Sequence, residues 1–144
     1  MEKVALPELG ILAKRALALL PGDGRTAVLI ALQGELGAGK TTFVQALGKE
    51  LGVTEVMQSP TYVLMKKYSV SHPRFATLMH IDAYRLEKPE EFAALRPREI
   101  FADPHALVVV EWPERVAGVL PKPDLTMHFS SEGCGEGERL IELV

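Results

Sequence analysis

Residues 34–41 read Gly-Glu-Leu-Gly-Ala-Gly-Lys-Thr, between a short apolar run and a stretch with helical periodicity. This is the phosphate-loop pattern G-x-x-x-x-G-K-[ST], and its setting between strand and helix is the one the pattern requires. Gly34 and Gly39 permit backbone angles and a closeness of approach that a side chain would forbid. The amides of Gly37, Ala38, Gly39, Lys40 and Thr41 can then point inward as a nest for anionic oxygens, at the positive end of the following helix. In such loops the lysine, here Lys40, serves the β- and γ-phosphates, and the hydroxyl at Thr41 ligates Mg²⁺. Thr42 is placed for the α-phosphate. The expected ligand is a nucleoside triphosphate.

The flanking pattern predicts the fold. "AVLIAL" (27–32) and "ALVVVEW" (106–112) are continuously apolar, as strands covered on both faces are. Leu6, Leu9, Leu12, Ala16, Leu17 and Leu20 recur at helical spacing before Pro21-Gly22, and Phe43, Val44, Leu47 and Leu51 do so after the loop. "TYVLMKKYSV" (61–70) and "FATLMHID" (75–82) read as a hairpin across "SHPR", and "DLTMHFS" with "RLIELV" as strands around a glycine-rich turn at 131–137. "KPEEFAALR" (88–96) reads as a short helix, and "PERVAGVL" as a brief helix or turn. The expected architecture is α/β: a single phosphate-loop NTPase domain over residues 1–144. Its central, mostly parallel sheet is flanked by helices and extended by antiparallel hairpins.

A phosphate loop needs an acidic partner at the end of a neighbouring strand to hold the metal or its water. Glu111 ends "ALVVVE" and Asp82 ends "FATLMHID". Parallel strands deliver their C-terminal ends to one edge, so both carboxylates can face one Mg²⁺. Spacing alone leaves open which of them touches it, and each also suits a cap on the following turn.

Composition narrows the function classes. A net charge of −3 argues against a dedicated nucleic-acid coat. Cys134 is the single cysteine, so an intramolecular disulfide and a cysteine-rich zinc site are excluded. No signal-peptide pattern opens the sequence, and no apolar run reaches the ~20 residues of a membrane span. The expectation is a cytoplasmic protein.

Four segments, "GELGAGKTTF", "SPTY" (59–62), "HIDAYRL" (80–86) and "VEWPERV" (110–116), occur in this order and spacing. Together they resemble the TsaE (YjeE) family, the ATPase component of bacterial tRNA threonylcarbamoyladenosine synthesis. The resemblance implies Mg·ATP at the sheet edge and work in a complex with TsaB and TsaD, which modify adenosine beside certain tRNA anticodons. It implies weak hydrolysis by the isolated chain, used to reset the complex between rounds. It makes Thr41 and Glu111 magnesium ligands, and sets Asp82 at the γ-phosphate side to order the metal's water or the attacking water. Thr61 falls in a switch-like loop that senses nucleotide, Trp112 near the nucleotide or a partner, and Leu6 to Leu9 near the adenine.

Several residues also carry ordinary readings. Ser59-Pro60 suits a strand entry, His80 a bonded strand histidine, and Tyr84 and Arg85 an open surface. Lys66 and Lys67 suit a solvated edge strand. Two other functions remain: a small-molecule kinase, with Arg96 and Arg98 in a candidate lid, and a nucleotide-dependent adaptor that does not hydrolyse. A GTPase is disfavoured, because no [NT]KxD segment is present.

Overall fold

The structure, a computed structural model, describes residues 1–21, 24–58 and 64–144. These residues form one seven-stranded sheet flanked by helices. Its strands are β1 (Glu2–Ala5), β2 (Val28–Gln33), β3 (Met65–Ser69), β4 (Thr77–Asp82), β5 (Ala106–Glu111), β6 (Leu125–Ser130) and β7 (Glu138–Leu143), in the order β1-β7-β6-β2-β5-β4-β3. The four central strands β6, β2, β5 and β4 run parallel, while β3, β7 and β1 join antiparallel at the two sides.

The apolar runs explain the layering. Side chains alternate across a strand, so β2 sends Ile30 and Leu32 to one face and Leu29 to the other, and β5 divides Leu107 and Val109 from Val108 and Val110. One face packs on helices α1 (Leu9–Leu19) and α2 (Lys40–Glu50), through Leu12, Ala16, Phe43 and Leu47. The other packs on Phe92, Val116 and Ile100, the last from α3 (Pro97–Ala102). Burying a Leu, Val or Phe side chain contributes about 1.5–3 kcal/mol, so the double-sided centre of the sheet is the firm support of its edge.

Three local differences from the sequence expectation have physical causes. The first helix begins as a 3-10 turn at Leu6–Glu8, where Pro7 occupies an early helical position, and becomes α-helical at Leu9. Residues Pro89–Leu95 are 3-10 rather than α, ending at Arg96 with φ 53°. That left-handed residue turns the chain so that Pro97 can open α3, a helix the pattern did not announce. The hairpin of β3 and β4 is present over the described residues, and Lys66 and Lys67 lie exposed on its edge strand as expected.

Candidate functional site

The loop after β2 turns into α2 at the C-terminal edge of the parallel strands, between neighbours β5 and β6. Gly34 has φ +151°, and a Cβ there would stand 2.5 Å from the Phe129 carbonyl oxygen. Gly37 and Gly39 also take positive φ, 78° and 101°. The first hydrogen bond of α2 runs from the Phe43 amide to the Gly39 carbonyl at 2.9 Å. The amides of Lys40, Thr41 and Thr42 therefore have no intrahelical acceptor and are open to an anion.

Beside the loop lies a cleft of about 290 Å³, lined by Gly37 to Thr42, Asp82, Tyr84, Glu111, Trp112, Leu6, Leu36 and Arg139. The parallel register sets Asp82 directly opposite Glu111 at the ends of β4 and β5. Both are buried, at 4% and 2% exposure. Thr41 Oγ1 donates to the Glu111 carboxylate, 3.0 Å from Oε1 and 2.9 Å from Oε2. The buried His80 brings Nε2 to 2.5 Å from Glu111 Oε2, which is the bonded strand histidine the sequence suggested. Asp82 Oδ1 accepts the Tyr84 amide at 3.0 Å, so this carboxylate also caps the turn that follows its strand.

Lys40 is 4% exposed. Its ammonium donates to the Gly34 carbonyl and stands 3.5 Å from the centroid of the Trp112 ring. Burial lowers the Lys40 pKa from its ordinary value, with Glu111, Glu114, Asp82 and Glu35 pulling it back up. Trp112 itself has φ 59°, uncommon for a bulky residue. That turn directly follows Glu111 and puts the indole on the cleft wall, where Tyr84 packs against it at 5.1 Å between ring centroids.

The family model "Threonylcarbamoyl adenosine biosynthesis protein TsaE" matches residues 8–141. The chain belongs to the TsaE family. A tRNA threonylcarbamoyladenosine biosynthesis protein TsaE of Nostoc sp. is 43% identical over 132 residues, covering 88% of this chain and 76% of that protein. The TsaE of Treponema pallidum is 41% identical over 113 residues, 78% of each chain. Among solved structures, YdiB of Bacillus subtilis superposes with a TM-score of 0.64 at 26% identity, over 97% of this chain and 80% of that one.

In this TsaE-family chain Gly37 to Thr42, Asp82, Glu111 and Trp112, all expected at the site, line the cleft, with Gly34 at the entry of the loop; Thr61 lies outside the described residues. Leu6 is on the cleft wall, whereas Leu9 of the same segment is buried in the core. Arg96 and Arg98, the candidate kinase lid, are not among the cleft residues. Tyr84 and Arg139 are: Tyr84, expected on an open surface, is half-buried on the cleft wall against Trp112, and Arg139 carries no sequence signal for this place. Tyr84 follows Asp82 by two, a proximity that could have flagged it; Arg139 is 102 positions from Gly37 and carried no such signal.

The donor set suits a magnesium-bound phosphate chain. A hydroxyl and two carboxylates are hard oxygen donors, and among the described residues no group of three or more His, Cys, Asp or Glu could cage a metal alone. Mg²⁺ is ordinarily held in that partial way, by one or two carboxylates with phosphates and waters completing its shell. Among the described residues no helix is long and apolar enough to cross a membrane.

Proposed function

We propose that residues 1–144 act as one phosphate-loop domain that binds Mg·ATP in this cleft and hydrolyses it in the cytoplasm, in support of tRNA N6-threonylcarbamoyladenosine formation, within a complex with TsaB and TsaD. The observation that carries the reading is the convergence of Lys40, Thr41, Asp82 and Glu111 on one loop whose amides are open to an anion. The family membership supports the pathway, and the names of the relatives support the modified base.

In this reading Gly34 shapes the entry of the loop. Gly37, Ala38 and Gly39 form its floor, and the amides of Lys40, Thr41 and Thr42 donate to phosphate oxygens. Thr41 Oγ1 and Glu111 hold the metal or its water, with Asp82 beside them. Bound Mg²⁺ supplies charge neutralisation on the β- and γ-phosphates. Lys40 leaves the Gly34 carbonyl and the Trp112 face for the phosphates, and Trp112 remains as the wall of the site. Asp82 orients the attacking water, and Thr61 acts in the switch segment. Catalysis then consists of positioning and electrostatics in a site that partner docking completes, so the isolated chain is slow.

The test is ATP turnover and tRNA modification by the chain alone and with its TsaB and TsaD counterparts. Both should depend on the partners, and Lys40→Ala should abolish both. Multiple-turnover modification that survives Lys40→Ala would remove the reading.

A further inference from the structure

Arg139 stands outside the loop motif, yet it touches the loop. Its side chain rises from β7 and passes with Cγ 3.4 Å from where a Gly39 Cβ would stand. Nε donates to the Gly37 carbonyl at 3.2 Å. Nη1 donates to the main-chain carbonyls of Gly135, Glu136 and Glu138 at 3.3, 3.2 and 2.6 Å. One guanidinium thus bridges the turn at 131–137 and the middle of the phosphate loop.

The same turn grips the loop elsewhere. Glu35 accepts both the amide and the hydroxyl of Ser131, at 2.9 and 3.1 Å, and the Ser131 amide is the main reason its carboxyl lies below the usual value. The Leu6 amide, on the cleft wall, donates to the Gly137 carbonyl at 2.8 Å. Loop, turn and N-terminal segment are therefore joined around the cleft mouth.

Charge makes the arrangement more than a brace. All the hydrogen bonds Arg139 makes to described residues end on neutral carbonyls, and among the described residues it forms no ion pair. A guanidinium stays protonated at any pH a folded protein meets. An unneutralised positive charge, half-buried, therefore lines the cleft beside an anion-accepting loop.

We propose that Arg139 is a positioning residue of the phosphate site, fixing the Gly37 side of the loop and adding a second cation to Lys40 in the field a polyphosphate enters. The inference rests on the proposed nucleotide reading of the cleft. It assigns Arg139 to binding and not to the reacting atoms. ADP and ATP should therefore be affected alike, and turnover of bound nucleotide should not change.

The experiment measures ADP and ATP affinity by calorimetry for wild type, Arg139→Ala and Arg139→Lys, at low and high salt. It adds KM and kcat in the complex with TsaB and TsaD counterparts, and thermal unfolding of each unliganded variant. Arg139→Ala should weaken both nucleotides about tenfold. KM should rise with kcat intact, and the deficit should shrink at high salt as the charge is screened. Arg139→Lys keeps the charge without the planar fork, so it should recover part of the loss. Wild-type affinity in Arg139→Ala overturns the inference alone, as does a lowered unfolding midpoint with unchanged affinity in the folded protein. If Arg139→Ala does not fold, Arg139→Lys decides: weakened binding supports the inference and wild-type binding overturns it. A wild-type chain that binds no nucleotide removes the reading of the cleft, and this inference with it.

Discussion

His80 on β4 reaches diagonally across the sheet to Glu111 on β5, Nε2 to Oε2 at 2.5 Å, with both side chains buried. A buried carboxylate that keeps two partners, here His80 and Thr41, is held in one orientation; one that loses a partner must give up solvation without compensation. His80→Leu is therefore expected to cost about 1–3 kcal/mol of stability, read from urea unfolding. His80→Gln can still offer a donor and should recover part of it. Unchanged midpoints in both variants would mean that Glu111 is held by other groups.

Thr41 supplies the other partner of Glu111, and in the proposed reading its hydroxyl turns to the metal. Thr41→Ala should lose the gain in ATP affinity that Mg²⁺ confers, about tenfold, and should bind ATP in EDTA as wild type does. Thr41→Ser keeps the oxygen and should keep the gain. Calorimetry with and without Mg²⁺ separates these outcomes, and equal losses in both media would place Thr41 on the phosphates instead.

What the sequence made legible follows the range of the contacts involved. The phosphate loop, β2, α2 and β5 could be read because their signals are local: glycines at fixed spacing, an apolar run, a helical stripe. That Asp82 and Glu111 share one sheet edge followed from parallel topology, whereas their direct pairing depends on strand order and register, which the sequence does not carry. β1 could not be read, since Glu2–Ala5 is four residues long and gains its structure by pairing with β7 at the far end of the chain. Arg139 was silent for the same reason, since its acceptor at Gly37 is remote. α3 was hidden behind Pro97, which looks like a breaker and instead opens the helix after Arg96 turns left-handed. Choosing between Asp82 and Glu111 as the partner of Thr41 needed side-chain positions that strand spacing does not contain.

Lys40 is buried, and the sign of its effect on stability follows from its lowered pKa. The folded chain releases this proton at lower pH than the unfolded chain does. Between those two values the unfolded state holds the extra proton, so stability rises with pH across the window. Below it, at neutral pH, the charge opposes folding. Lys40→Met is expected to abolish ATP binding while raising the unfolding midpoint at neutral pH, and to flatten the rise in stability toward about pH 10. Thermal melts across pH check this. A lowered neutral midpoint would mean that the Gly34 carbonyl and the Trp112 ring outweigh the desolvation.

Gly34 tests whether the loop's entry is set by steric necessity. An added methyl would meet the Phe129 carbonyl oxygen at 2.5 Å, a main-chain atom of a central strand that has little freedom to retreat, and φ +151° disfavours any side chain there. Gly34→Ala should therefore lower stability by about 1–3 kcal/mol or more and weaken nucleotide binding, because the strain enters at the start of the phosphate cradle. Gly137→Ala is the control: nothing stands within 4 Å of its Cβ position, and it should stay near wild type in both measurements. Denaturant midpoints and calorimetric affinities for the two variants decide the matter. If the two alanines behave alike, the close approach of loop and β6 is not what shapes the site.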